Sequence, residues 1–260
     1  MGERERYEPG TFSWADLNTT DQAAAKEFYG GLFGWEADDQ PVDDRGTVYS
    51  MMTVGGRAVA AISPQPEAMA RTGAPPAWNS YVTVESADAS AARAAELGAT
   101  VAMAPFDIFD AGRMAGILDP QGAFLLLWEP RAHVGAQLVN APGALMWNEL
   151  STSDLDAASA FYADLFGWEL KDIRGEPEPY LAIGNAGSSN GGIRRSMPPG
   201  LPPQWLVYFA VEDLEAGMGR VRALGGAVHA GPIEVEVGRL AVVGDPQGAI
   251  FVIYAGDLDP

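Results

Sequence analysis

The sequence predicts an α+β protein built from four βαβββ modules, two in each half of the chain. Three observations carry that prediction. A set of motifs occurs twice at one constant interval, the segments that open each half alternate with period 2, and glycine and proline turns cut the remainder into short strands. Trp14-Ala-Asp-Leu-Asn-Thr-Thr-Asp21, Phe28-Tyr29 and Leu32-Phe-Gly-Trp-Glu36 return as Trp147-Asn-Glu-Leu-Ser-Thr-Ser-Asp154, Phe161-Tyr162 and Leu165-Phe-Gly-Trp-Glu169. Each pair lies 133 residues apart, so the chain is a tandem duplication.

Each half opens on a strand, because Trp14, Asp16 and Asn18 alternate with Ala15 and Leu17 as a half-buried strand requires. Asp21 and Asp154 stand where an N-cap is expected, ahead of Ala-rich runs of good helix propensity. Phe28, Leu32 and Phe33 give the helix an apolar face, and Gly34 ends it through a left-handed residue. Val48–Val54 and Arg57–Ile62 read as strands around a Gly55-Gly56 turn, and Pro64 to Pro76 as a loop. The second module reads as strand Asn79–Val84, helix Asp88–Leu97 stopped by Gly98, and strands Thr100–Ile108, Arg113–Leu118 and Ala123–Trp128. Asp119-Pro-Gln-Gly122 is a turn with Pro second and Gly fourth.

Glu129–Pro142 breaks the pattern and reads as the linker. The predicted domains are 1–130 and 143–260, with the linker at 131–142. The second half repeats the order: strand Leu145–Leu150, helix Asp154–Phe166, strands to about Arg195, and a loop with Pro198, Pro199, Pro202 and Pro203. Strand Trp205–Val211, helix Asp213–Leu224 and three strands ending at Tyr254 complete it. Gly238-Arg239 repeats Gly112-Arg113, and Asp245-Pro-Gln-Gly-Ala249 repeats Asp119-Pro-Gln-Gly-Ala123.

Composition narrows the function classes. With 47% hydrophobic and 10% aromatic residues, each half can bury a core. Sixteen Lys+Arg against 35 Asp+Glu give −19, which repels phosphate backbones and anionic lipid and argues against nucleic acid and membrane partners. The absence of cysteine removes disulfides, thiolate metal sites and cysteine nucleophiles. The first residues contain no apolar leader and no later run is long enough to span a bilayer, so a cytoplasmic location is expected.

Taken together, the four modules, the Asp-capped helix with Phe-Tyr, Leu-Phe-Gly-Trp and the Asp-Pro-Gln-Gly turns resemble the vicinal oxygen chelate superfamily. That superfamily includes glyoxalase I, extradiol dioxygenases, fosfomycin-resistance enzymes and bleomycin-binding proteins. The Trp-x-Asp/Glu-Leu opening and the Gly-Arg and Asp-Pro-Gln-Gly-Ala endings are similar to a tandem actinobacterial group described as glyoxalase-like or hydroxylase-like, which includes a mycobacterial culture-filtrate antigen. The resemblance implies two glyoxalase-like domains, each a cupped mixed sheet that holds a ligand on its concave side, with helices on the convex side.

Metal-dependent members would place their ligands at positions that fall here on Trp14 and Trp147, on Asn79 and Leu206, on Leu126 and Val252, and near Ala60 and Gly192. Asn79 apart, none offers a usable donor to a divalent cation. His133, in the linker, and His229, on a strand, stand alone at no ligand spacing. No metal and no cofactor is therefore expected. Strand alternation puts Trp14, Asp16, Asn79, Tyr81, Phe124, Leu126 and Trp128 on the face of the first cup. Trp147, Glu149, Leu206, Tyr208, Ile250, Val252 and Tyr254 share the face of the second.

Asp16 and Glu149 are the candidate acid–base groups, since a carboxyl among indoles is desolvated. Trp14, Asn79, Tyr81, Phe124, Trp128, Trp147, Tyr208, Tyr254, Arg113 and Arg239 are the candidate ligand-binding residues. A purely structural role for the two carboxylates, hydrogen-bonded or in a salt bridge to a strand arginine such as Arg113 or Arg239, is the competing reading. The glycines of Gly187–Gly192 match no phosphate-cradling motif and read as a hairpin turn. The expected function is metal-independent binding of a small, partly aromatic organic molecule, for sequestration or acid–base chemistry. The alternative is a metal-dependent lyase, isomerase or hydroxylase/dioxygenase-type enzyme of the same superfamily. A scaffold or homodimer module with degenerate cups is the third reading.

Overall fold

The computed structural model describes residues 2–173, 179–196 and 200–257; of the Pro-rich loop, Pro198 and Pro199 lie outside them. A short strand β1 (Gly2–Glu3) precedes the first module: β2 (Phe12–Thr19), α1 (Gln22–Phe33), β3 (Glu36–Pro41), β4 (Val48–Val54) and β5 (Arg57–Pro64). The segment read as a loop contains a six-residue helix, α2 (Glu67–Thr72); its prolines sit on either side of the helix, not within it. The second module is β6 (Ala77–Thr83), α3 (Ala87–Glu96), β7 (Thr100–Ile108), β8 (Gly112–Leu118) and β9 (Phe124–Pro130). α3 begins one residue before the expected Asp88, and Ser86 caps it by accepting from Ala89 N.

The linker carries β10 (Leu138–Val139). The third module is β11 (Leu145–Thr152), α4 (Leu155–Phe166), β12 (Glu169–Asp172), β13 (Tyr180–Asn185) and β14 (Ser188–Arg195). The fourth is β15 (Gln204–Ala210), α5 (Leu214–Ala223), β16 (Ala227–Val235), β17 (Gly238–Gly244) and β18 (Ile250–Gly256). Asp21 and Asp154 cap α1 and α4 by accepting from Ala24 N and Ala157 N, contacts worth about 1 kcal/mol each. Gly34 and Gly167 follow at φ 74° and 72°, the left-handed exit that a glycine adopts without strain.

Two mixed sheets result. One runs β3-β4-β5-β2-β6-β9-β8-β7, and the other β12-β13-β14-β11-β15-β18-β17-β16, with β10 and then β1 added beside β11. In each sheet the opening strands of its two modules pair antiparallel at the centre, and each lies parallel to the last strand of its own module. Among the described residues no helix is long and apolar enough to cross a membrane.

The helices and the backs of both sheets share their cores. One apolar cluster joins Phe28, Tyr29 and Leu32 of α1 to Phe209, Met218 and Phe251 of the second half. Its counterpart joins Ala87 and Ala91 of α3 to Phe161, Tyr162 and Trp168. The polar contacts across this joint are reciprocal. Tyr29 donates to Asp245 Oδ2 at 3.1 Å and receives Trp78 Nε1 at 2.9 Å, while Tyr162 donates to Asp119 Oδ2 at 3.0 Å and receives Trp205 Nε1 at 3.0 Å. Trp35 Nε1 donates to Gly143 O at 2.6 Å, and Trp168 Nε1 to Gly10 O at 2.7 Å. The repeated Phe-Tyr, Phe-Gly-Trp and Asp-Pro-Gln-Gly elements are thus the hardware that fastens one half to the other. A cleft of about 130 Å³ between Trp78 and Trp205 lies on this joint and carries no titratable group.

Candidate functional site

Register assembles each cup from strands distant in sequence. In the first, Trp14 pairs with Tyr81, Asp16 with Asn79 and with Ala61, and Tyr81 with Leu126. In the second, Trp147 pairs with Tyr208, Glu149 with Leu206 and Gly192, and Tyr208 with Val252. The expected cup position at Ala60 moves by one residue. Both Ala60 and Ala61 are buried, but Ala60 pairs with Met52, whereas Ala61 stands beside Asp16.

Asp16 is 4% exposed and sits at the centre of a hydrogen-bond network of uncharged donors. Tyr81 donates to its Oδ2 at 2.6 Å, Tyr49 to the same oxygen at 3.2 Å, and Asn79 Nδ2 to its Oδ1 at 2.8 Å. Trp14 Nε1 donates to Tyr49 at 2.9 Å, so indole, phenol and carboxyl form one chain. Burial pushes the Asp16 pKa up, and the three donors only partly offset it. Tyr49 and Tyr81 are raised well above the usual phenol range by burial and by the Asp16 charge, which keeps them protonated donors.

The first cup is covered. The linker crosses it with His133 N donating to Ala111 O and Ala136 N to Ser13 O. The His133 ring meets Trp14 edge-on at 4.6 Å and Trp128 at 5.9 Å, while Trp128 Nε1 donates to His133 O at 2.9 Å. The buried His133 Nε2 makes no hydrogen bond, and desolvation pushes its pKa down to about 4. Phe124 is half-buried beside Met103, across from Gly116.

The second cup repeats the scaffold and changes its surroundings. Glu149 is 4% exposed, and both Tyr180 and Tyr208 hydrogen-bond it, their pKa values raised chiefly by burial and then by the Glu149 charge. Trp147 Nε1 donates to Tyr180 at 2.9 Å, as Trp14 does to Tyr49. Leu206 replaces Asn79 at the register position opposite the carboxylate. A cation enters instead: Arg194 Nη1 lies 3.8 Å from Glu149 Oε1, its side chain about one third exposed. Gly192 is required here, because a Cβ on it would come within 2.0 Å of the Tyr180 hydroxyl. The hairpin turn is at Ala186-Gly187, and Gly191-Gly192 lie inside β14.

Trp147, Met146, Tyr180, Leu206 and Arg194 are half-buried, so the wall of this cup meets solvent. A cleft of about 80 Å³ runs beside the start of β11, lined by residues including Arg4, Met146, Trp147 and Asn190. Tyr254 lies at the far end, donating to Val237 O at 2.6 Å and Asp257 O at 3.2 Å.

Arg113 and Arg239 are in neither cup. Arg113 grips Asp88 at 2.6 and 3.0 Å and Asp107 at 3.1 Å, and Arg239 stands 3.7 Å from Glu215. The reason is the pleat: Met114 pairs with Trp128 on the cup side, so Arg113 points to the helix side. Three cup residues escaped the sequence reading: Tyr49, Tyr180 and Arg194. Their signal was present, since Tyr49 and Tyr180 recur at matching strand positions and Arg194 stands two residues after Gly192 on the same face.

These donor sets do not fit a divalent cation. The Asp16 oxygens are met by O–H and N–H donors, the neighbouring positions are indole and aliphatic, and in the second cup a guanidinium faces the carboxylate. Among the described residues no three His, Cys, Asp or Glu side chains cluster.

The chain matches the Glyoxalase/Bleomycin resistance protein/Dioxygenase superfamily twice, over residues 11–127 and 144–253. It is 47% identical over 257 residues to the protein named "Putative glyoxylase CFP32" of Mycobacterium tuberculosis, with 97% of each chain covered. It is 34% identical over 264 residues to the anthracycline biosynthesis protein DnrV of Streptomyces peucetius, covering 95% of this chain and 94% of that one. In fold it is similar to the Mn(II)-bound glyoxalase of Novosphingobium aromaticivorans, with a TM-score of 0.66, 17% identity and coverage of 95% and 82%. It is also similar to the homoprotocatechuate 2,3-dioxygenase of B. fuscum, with a TM-score of 0.67, 16% identity and coverage of 100% and 76%. Both halves of the chain therefore belong to the glyoxalase/bleomycin resistance protein/dioxygenase superfamily.

Proposed function

We propose that this protein binds a small, partly aromatic organic molecule without a metal ion, and that the second cup is the working site. The observation that carries this reading is the contrast of burial in that cup: Glu149 is 4% exposed at the floor, beneath a partly exposed wall of Trp147, Tyr180 and Arg194. Aromatic walls around a few convergent polar groups are what a planar ligand needs. The first cup has the same carboxyl–phenol–indole chain but spends its aromatic surface on His133 of its own linker. The relative named for anthracycline biosynthesis makes polycyclic aromatic compounds the first class to try. Glu149 supplies the proton acceptor of the second cup, so the bound molecule is either held or exchanges a proton there.

The test is tryptophan fluorescence of chelator-treated protein titrated with a panel of aromatic natural products. Saturable quenching that disappears in W147F, with binding weakened at least about tenfold in E149L by loss of a buried polar contact, is expected. Quenching that persists unchanged in W147F would place the ligand elsewhere, and the absence of any saturable response would end the reading.

A further inference from the structure

The space beside the opening strand is filled in the first half and open in the second. β5 pairs with β2 from Asp16 to Thr19, and the linker takes the stretch before it. There Ala136 N donates to Ser13 O, and Gly135 packs so closely that a Cβ on it would come within 2.5 Å of the same oxygen. β14 likewise pairs with β11 from Glu149 to Thr152, but β10 reaches β11 at Leu145 alone. Between these two pairings the edge of β11 borders the cleft of about 80 Å³. At roughly 10–15 Å³ for each water-sized group, the cleft has room for about five to eight of them.

A cleft along a strand edge meets side chains from both faces of the sheet. From the cup face it meets Trp147, and from the other face Asn148, which is 2% exposed. One end of the Asn148 amide is engaged, since Oδ1 accepts from Ser80 Oγ at 2.7 Å across the joint. Its Nδ2 donates to nothing among the described residues. Thr11 Oγ1 accepts from Asn185 Nδ2 at 2.9 Å, and its own proton has no acceptor among the described residues. The Tyr7 hydroxyl donates to Ala136 O at 2.5 Å and keeps its lone pairs for a donor. No Asp or Glu among the described residues lines the cleft, and its cation, Arg4, donates Nη1 to Glu3 O at 3.2 Å. The counterparts of Asn148 and Ser80 are Ala15 and Val207, an apolar pair buried in one cluster.

We propose that this cleft is a second subsite of the second cup, taking an uncharged hydroxylated substituent of the molecule whose ring lies on Trp147. The assignment rests on the ligand-binding reading above. A hydroxyl both donates and accepts, so it meets the Asn148 amide whichever way that amide is turned. A buried, poorly hydrated amide gains more from such a partner than a solvated one does. An alkyl substituent would leave the amide unmet, and a carboxylate would lose its hydration without a matched counter-ion.

The experiment measures binding of three naphthyl ethers by equilibrium dialysis: 2-propoxynaphthalene, 3-(2-naphthyloxy)propane-1,2-diol and 2-naphthyloxyacetate. Wild type is compared with the double variant Asn148→Ala, Ser80→Val, which copies the apolar pair of the first half and so orphans no buried polar group. Wild type is expected to bind the diol at least about fivefold more tightly than either other ether, the worth of one neutral hydrogen bond. In the double variant the advantage of the diol over the propyl ether should fall to within about twofold. A second readout needs no variant to fold: in isotope-labelled wild type, the Asn148 side-chain amide resonances should move with the diol and not with the propyl ether. Equal affinity of wild type for those two, a preference for the carboxylate, a preference for the diol that survives in the double variant, or an Asn148 amide indifferent to the diol overturns the subsite alone. Failure of all three ethers to bind wild type overturns the ligand-binding reading with it.

Discussion

Asp16 and Glu149 stand at equivalent places in the two halves, each met by a tyrosine from the neighbouring strand and by a second tyrosine that a tryptophan indole holds in place. Around this common frame almost every other position differs. Asn79 answers to Leu206, Ser63 to Arg194 and Trp128 to Tyr254, and the linker seats His133 on the first cup alone. The joint between the halves shows the opposite behaviour, with Tyr29, Trp35, Trp78 and Asp245 matched contact for contact by Tyr162, Trp168, Trp205 and Asp119. The lesson is about what a duplication constrains. A joint used twice around one core must fit itself, whereas two cups facing away from each other are free to become a sealed carboxyl network on one side and an open charged pair on the other.

The largest effect should come from the joint, since both cups are mounted on it. Asp245 accepts from Gln247 N and Ala249 N with one oxygen and from Tyr29 with the other. Asp119 does the same for Gln121 N, Ala123 N and Tyr162. Removing either carboxylate leaves three donors unmet, two of them buried, a loss of about 4 kcal/mol at 1–3 kcal/mol for each unsatisfied buried group. D245A and D119A should each lower stability by that amount in urea unfolding. Wild type and both variants should unfold in one transition. Two separated transitions would show that the halves stand independently and that the comparison of cups on one core is misconceived.

Acid should separate the cups next. The His133 pKa is about 4 in the folded chain against 6.5 for an ordinary imidazole, so between those values the unfolded chain binds a proton that the folded one refuses. Stability therefore falls as pH falls through that window, by up to about 3 kcal/mol at 1.36 kcal/mol per pKa unit. H133F keeps the ring against Trp14 and should flatten the profile there. Asp16 acts in the reverse sense. Its folded pKa is raised above 3.8, so its contribution to stability is lost as pH rises from 3.8 through the folded value, and D16N should remove that decline. Urea midpoints between pH 3.5 and 7 check both signs; parallel profiles for wild type and H133F would mean that the linker does not seal the first cup.

How much of this was legible beforehand depended on which interactions leave a trace in local sequence. The duplication, the caps at Asp21 and Asp154 and the cup faces through Trp14, Asp16, Trp147 and Glu149 follow from spacing and alternation, which act within a few residues. The joint was visible as a motif, but its purpose was not, because Tyr29 and Asp245 are 216 residues apart. Nor was His133 placed: a linker without periodicity gives no sign of what it covers. Arg194 was passed over because the Gly191-Gly192 run before it reads as turn chemistry, and only the Tyr180 hydroxyl packed against Gly192 explains the glycine there.

The smallest effects should fall on Arg113 and Arg239, the two arginines that the sequence reading had counted among the ligand-binding residues. Arg113 holds Asp88 with two nitrogens at 2.6 and 3.0 Å and also reaches Asp107, whereas Arg239 approaches Glu215 only to 3.7 Å. Both pairs lie on the helix side, where solvent and salt screen them and side-chain ordering offsets most of the attraction. R113A should melt within about 2 °C of wild type and R239A within about 1 °C, with the difference shrinking in high salt. Because neither guanidinium faces a cup, the aromatic-probe titration of both variants should superimpose on that of wild type. A weakened probe affinity in R239A would mean that the second cup draws its cation from the last module, and the assignment of its walls would have to be redrawn around β17.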